Sequence, residues 1–95
     1  MLTIFGRDGC QPCKDLKRAL SEVRIEFKDV DITQLPEHEQ KAVRTEIAKV
    51  SRLGIASVPA ALLEQGETTR WFSNHGDSNV TELFQQICLA VAEPW

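Results

Sequence analysis

The chain has 95 residues, 42% of them hydrophobic and 26% charged, enough for one packed core and too few for two. A formal charge of −3, no Tyr and no block of Lys or Arg argue against a nucleic-acid surface. No apolar run approaches the roughly 20 residues that span a bilayer, and "MLTIFGRDG" lacks the pattern of a secretory leader, so the expectation is a single cytoplasmic, monomeric domain over residues 1–95 with no membrane contact.

Residues 2–5, "LTIF", form a short apolar run ended by Gly6, the pattern of a buried strand. Cys13, Leu16, Leu20 and Val23 then fall on one helical face, opposite Lys14, Lys17, Arg18 and Glu22. A second strand is predicted over 25–32, where Ile25, Phe27, Val30 and Ile32 stand among charges. A helix over 36–53 follows, with Pro36 suited to its first turn, Val43, Ile47 and Val50 on one face, and Gly54 as the stop. The segment "AALLEQGETTRWF" predicts a hairpin turning near Gln65 and Gly66. After the loop "SNHGDSN", Asn79 is a candidate N-cap with Glu82 three residues on. Val80, Leu83, Phe84, Ile87, Cys88 and Val91 complete an apolar helical stripe, and residues 92–95 are expected to form a frayed tail. The fold class expected is α/β, in the order β-α-β-α-β-β-α.

The chemistry concentrates in "GRDGCQPCKDL", residues 6–16. Three cysteines do not pair into a disulfide scaffold, and in a reducing compartment a close Cys pair points to redox chemistry or to metal. A metal site needs two further thiol or imidazole ligands at recognisable spacing. Cys88, His38 and His75 provide no second close pair, so no metal ligand is assigned.

Placed where a strand turns into a helix, Cys10 meets the unpaired N–H groups and positive dipole end of that helix, which favour the thiolate. Cys-x-x-Cys thiols at helix starts have pKa values lowered to about 3.5–7.5. Arg7 and Lys14 would act in the same direction, and Asp8 and Asp15 against it. Cys13, one turn further in, is within reach of Cys10 and shielded from solvent. The expected roles are Cys10 as nucleophile and Cys13 as resolving thiol, with Pro12 stiffening the turn between them. Pro59, opening a strand in "SVP" (57–59), points to a special backbone there, a cis peptide among the candidates. Such a bond would offer the Val58 main chain to an extended client.

Together, "IFGRDGCQPC" (4–13), "SVP" (57–59) and "GDS" (76–78), in this element order, resemble a glutaredoxin of the thioredoxin-fold superfamily. The resemblance implies a four-stranded mixed sheet flanked by three helices, a cis Pro59, and a thiol-disulfide oxidoreductase acting on protein disulfides or glutathione mixed disulfides. It implies glutathione as co-substrate with no tightly bound cofactor. The tripeptide would pair with Val58 beside Pro59, pass Gln11 and Pro12, and direct its carboxylates to Arg7, Gly76, Asp77 and Ser78.

Three departures are visible. Gln11 and Pro12 stand where the family usually has Pro-Tyr, and "NHGDS" replaces its usual Gly-Gly. Trp71 is similar to a residue of the glutaredoxin-like electron donors of ribonucleotide reductase, which thioredoxin reductase recycles. That donor role is therefore the first alternative, and a metal-carrying or scaffolding protein of the same fold is the second. Cys88 is expected as a small buried hydrophobe, His75 as a solvated loop residue, and Trp71 as either a packing or a client-contact residue.

Overall fold

The computed structural model describes residues 1–92. Its elements are β1 (Leu2–Gly6), α1 (Gln11–Glu22), β2 (Lys28–Asp31), α2 (Glu37–Val50), β3 (Ala60–Gln65), β4 (Thr68–Ser73) and α3 (Thr81–Ala92), with a short 3-10 turn at Ile32–Gln34. The four strands form one mixed sheet in the order β2-β1-β3-β4, with β1 parallel to β2 and the remaining pairs antiparallel.

Both faces of the sheet are covered, which explains why every residue of the inner strand β1 is buried. On one face, Leu2, Ile4, Ala61, Leu63 and Phe72 pack against Leu16 and Leu20 of α1 and Leu83, Ile87 and Ala90 of α3. On the other, Ala60 packs with Ile32 and with Ile47 of α2, joined by Leu35, Val43, Val58 and Trp71. The indole of Trp71 also stacks on Phe5, with centroids 5.6 Å apart and planes 16° from parallel. Trp71 is thus a packing residue of this layer.

The element order is as read from the sequence, and several boundaries are corrected. Helix α1 stops at Glu22, so Val23 is not on its buried face but 51% exposed at the C-cap. Arg24 follows at φ +60, its N–H bonding to Ser21 O and that of Ile25 to Leu20 O, which makes a Schellman closure without glycine.

Strand β2 has four residues instead of eight. Ile25 and Phe27 still reach the first core layer from outside the ladder. Helix α2 ends at Val50, three residues short of the expected end at 53, because Ser51 turns extended at ψ 133. Gly54, at φ +68, instead closes a separate turn by donating to Ser51 O at 3.1 Å, and Val50 is 39% exposed.

Ahead of α3, the Asn79 carboxamide accepts the Thr81 N–H at 2.8 Å, while helical bonding starts at Val80 O. Glu82 does not reach back to Asn79 but grips Arg52 through two bonds of 3.1 and 3.3 Å. Ala92 closes α3, and the rest of the expected tail, 93–95, lies outside the described residues. No helix among the described residues is long and apolar enough to cross a membrane.

Candidate functional site

Gly6 ends β1, Gly9 turns the chain at φ +77, and Cys10 takes the N-cap of α1 at φ −91, ψ 107. Pro12 sits in the first helical turn, where a missing N–H leaves no bond unmade. The Cys10 sulfur does what a Ser or Asp oxygen does at an ordinary cap: it accepts the Cys13 N–H, at 3.2 Å. The two sulfurs are joined as a disulfide with Cα atoms 5.3 Å apart, so this is the oxidised state of the pair.

The two cysteines differ in access. Cys10 is 8% exposed and lines a groove of about 490 Å³, whereas Cys13 is 1% exposed and lies among core residues. The first turn of α1 carries no acidic residue, and the Asp15 carboxylate is engaged by the Gln11 amide at 2.9 Å. Asp8 faces a neighbouring polar cleft, with Lys14, Lys17, Asp29 and Asp31, instead of the groove. The helix dipole and the Cys13 N–H therefore act on the Cys10 sulfur from within α1.

Besides Cys10, the groove is lined by Arg7, Gln11, Pro12, Val58, Gly76, Asp77 and Ser78, all assigned to the site from the sequence, and by Gly9, Ala56 and Ser57, to which no site role was given. Pro59 is fully buried and follows Val58 through a cis peptide bond. The sheet ladder begins one residue later, with Ala60 opposite Phe5 on one side and Ser73 on the other. A larger cavity, of about 840 Å³, lies at the opposite end of β1 and contains none of the three cysteines.

The loop forming the far wall is held by bonds that local sequence patterns do not reveal. Ser57 Oγ accepts the Gly76 N–H at 2.9 Å, tying the segment before Pro59 to the segment before α3. The Asp77 N–H donates to Asn74 O at 3.0 Å, and the carboxamide of Asn74, itself 3% exposed, donates back to Asp77 O. His75 is no ordinary solvated loop histidine. At φ +55 and half-buried, it accepts the Arg52 N–H on Nδ1 at 3.0 Å, while its own N–H donates to Ser73 Oγ. The role of Ser57 was missed because its partner lies 19 residues away, and that of Asn74 because the loop was read by composition alone.

Cys88 is free and half-buried on α3, and burial pushes its thiol up from the ordinary value. It shares no cluster with the redox pair. Among the described residues, no three His, Cys, Asp or Glu side chains are grouped to hold a metal ion.

Comparison with known proteins agrees with this architecture. The sequence profile of the glutaredoxin family matches residues 2–64. The SPbeta prophage-derived thioredoxin-like protein YosR of Bacillus subtilis (strain 168) is 30% identical over 80 residues, covering 82% of this chain and 86% of its own. The glutaredoxin-like protein NrdH of Lactococcus lactis subsp. cremoris (strain MG1363) is 35% identical over 43 residues, which is 45% of this chain and 60% of that one. Among solved structures, the glutaredoxin grx-1 of Archaeoglobus fulgidus superimposes with a TM-score of 0.59 over 97% of this chain and 86% of its own, at 20% identity, a likeness of fold.

Proposed function

The chain belongs to the glutaredoxin family of thiol-disulfide oxidoreductases, and from that premise we propose that it reduces protein disulfides through a Cys10 and Cys13 dithiol recharged by a thioredoxin reductase. The observation that carries the reading is the unequal access of two sulfurs at one helix start, with Cys10 in the groove and Cys13 sealed beneath it.

In the reduced state the Cys10 thiolate attacks one sulfur of a client disulfide. A Cys10–client bond forms, the client S–S bond breaks, and the other client sulfur leaves as a thiolate that takes up a proton. The Cys13 thiolate then attacks the Cys10 sulfur, closing the Cys10–Cys13 bond and releasing the second client thiol. Two electrons pass from the dithiol to the client, and the protein ends in the disulfide form seen here. The Cys13 N–H, donated to Cys10 Sγ, would stabilise that sulfur as the attacking thiolate.

The choice of electron source rests on the far wall of the groove. A glutathione carboxylate arriving there would need free N–H donors, but those of Gly76 and Asp77 are already given to Ser57 Oγ and Asn74 O, and the Asp77 side chain adds negative charge. The likeness of Trp71 to its counterpart in the glutaredoxin-like donors of ribonucleotide reductase favours the same reading, and makes that enzyme a candidate client. Glutathione as co-substrate is the second reading, favoured by the exposed cation Arg7 at the groove edge as a carboxylate partner.

Insulin reduction with NADPH, recharged in parallel by thioredoxin reductase and by glutathione with glutathione reductase, separates the two. Turnover with thioredoxin reductase alone, lost in Cys10→Ser, is the expected result. Turnover with glutathione alone would replace this electron source with the second reading, and no turnover with either would sink both.

A further inference from the structure

Two large apolar side chains stand in solvent beside the groove, Leu53 at 65% exposure and Ile55 at 49%. They are brought together by the fold: a Cβ placed on Gly76 would lie 3.6 Å from Ile55 Cδ1 and 3.7 Å from Leu53 Cδ1. Gly76 is itself a groove residue, and so is Ala56, which follows Ile55. Leu53 and Ile55 therefore adjoin the groove wall at Gly76 and Ala56.

The segment that carries this shelf is held firmly. Leu53 N–H donates to Ser51 Oγ, Gly54 N–H to Ser51 O, and Arg52 N–H to His75 Nδ1, while the Arg52 guanidinium is clamped by Glu82. A backbone fixed in this way loses little further freedom when a partner covers it, so the shelf is held in place ahead of binding.

We propose, resting on the oxidoreductase reading above, that this shelf selects protein clients by seating a large apolar side chain about two to four residues from the client's reactive cysteine. The spacing comes from the chain itself. Val58 stands beside the disulfide groove and Ile55 three residues before it, and three extended residues span at most about 10 Å. An extended client laid along 55–58 with its sulfur at Cys10 would carry a side chain over Leu53 and Ile55 at that separation. The occupant is thus an extended segment of a client polypeptide with an aliphatic or aromatic residue near its cysteine.

The test uses the full chain, pre-reduced and mixed in single turnover with symmetric peptide disulfides, so that no reductase is required. Two peptides of equal charge carry Leu or Ser three residues from the cysteine, and 2-hydroxyethyl disulfide serves as the small substrate. The Leu peptide should react about tenfold faster than the Ser peptide, a difference of about 1.4 kcal/mol. In Leu53→Ser/Ile55→Ser that preference should shrink to within about twofold while the small disulfide reacts at the wild-type rate, which also shows the variant to be folded. Equal rates for the two peptides with the wild type, or a preference that survives in the variant, would overturn the proposal. So would sedimentation showing a dimer that Leu53→Ser dissociates, because a second copy would then be the occupant. Failure with all three disulfides would instead overturn the oxidoreductase reading and the shelf's role with it.

Discussion

Gly6 and Cys13 approach so closely that a Cβ built on Gly6 would stand 3.2 Å from both the Cβ and the Sγ of Cys13. The absence of a side chain at the end of β1 is what lets the resolving cysteine sink beneath the groove. Gly6→Ala should therefore cost the oxidised protein about 1–3 kcal/mol by overpacking, read as a lower urea midpoint. In a Cys10→Ala/Cys13→Ala background the sulfur is gone and the cost should shrink. An equal cost in both backgrounds would assign the defect to the strand and not to the redox pair.

Ser57 and Gly76 join the two loops of the groove by a single hydrogen bond. Ser57→Ala leaves the Gly76 N–H without that acceptor, so stability should fall by roughly 0.5–1.5 kcal/mol. The Gly76 amide should exchange faster with solvent, while the amides of β1 keep their protection. An unchanged Gly76 exchange rate would show that the loop is held by its other bonds alone.

Asp31 caps the 3-10 turn between β2 and α2 by accepting both the hydroxyl and the N–H of Thr33 on one oxygen. The hydroxyl bond first, then the backbone bond, hold its carboxyl below the ordinary value of 3.8, with Lys17 adding a smaller pull in the same direction. A carboxyl depressed in the folded state favours folding above its unfolded value, and the gain is lost as pH falls through the folded one. Asp31→Asn keeps an acceptor for the Thr33 N–H but no longer titrates. Its stability should therefore decline less steeply than the wild type's between about pH 5 and 2, measured by urea unfolding at each pH. Parallel profiles would remove Asp31 from the acid limb.

Arg24 occupies the left-handed position that closes α1, at φ +60. A side chain there costs about 1–2 kcal/mol relative to glycine, partly offset by glycine's greater freedom in the unfolded chain. Arg24→Gly should raise stability by roughly 0.5–1 kcal/mol and the melting temperature with it. A lower melting temperature would mean that the arginine side chain contributes more than its backbone costs.

The sequence by itself determined the class of the molecule, because that information is local. Alternation and helical spacing arise from short-range geometry, so "LTIF", the apolar face of α1 and the stripe on α3 were readable, and with them the order of the elements. Cys10, Cys13 and Pro12 were readable for the same reason, since a cap and its first turn lie within four residues. Boundaries were less so: α2 ends at Val50, and β2 is confined to the four residues paired with β1, under tertiary constraints that a helix-stop glycine or an apolar run does not express.

Only the tertiary structure decided how the groove is built. The bond from Gly76 to Ser57 spans 19 residues, that from Arg52 to His75 spans 23, and the pairing of Arg52 with Glu82 spans 30. These contacts turn a polar loop into a fixed wall, take up the N–H group of Gly76, and bring Leu53 and Ile55 beside the groove. Contacts of this kind depend on how the sheet and α2 bring distant segments side by side, a relationship that neither residue type nor spacing along the chain encodes.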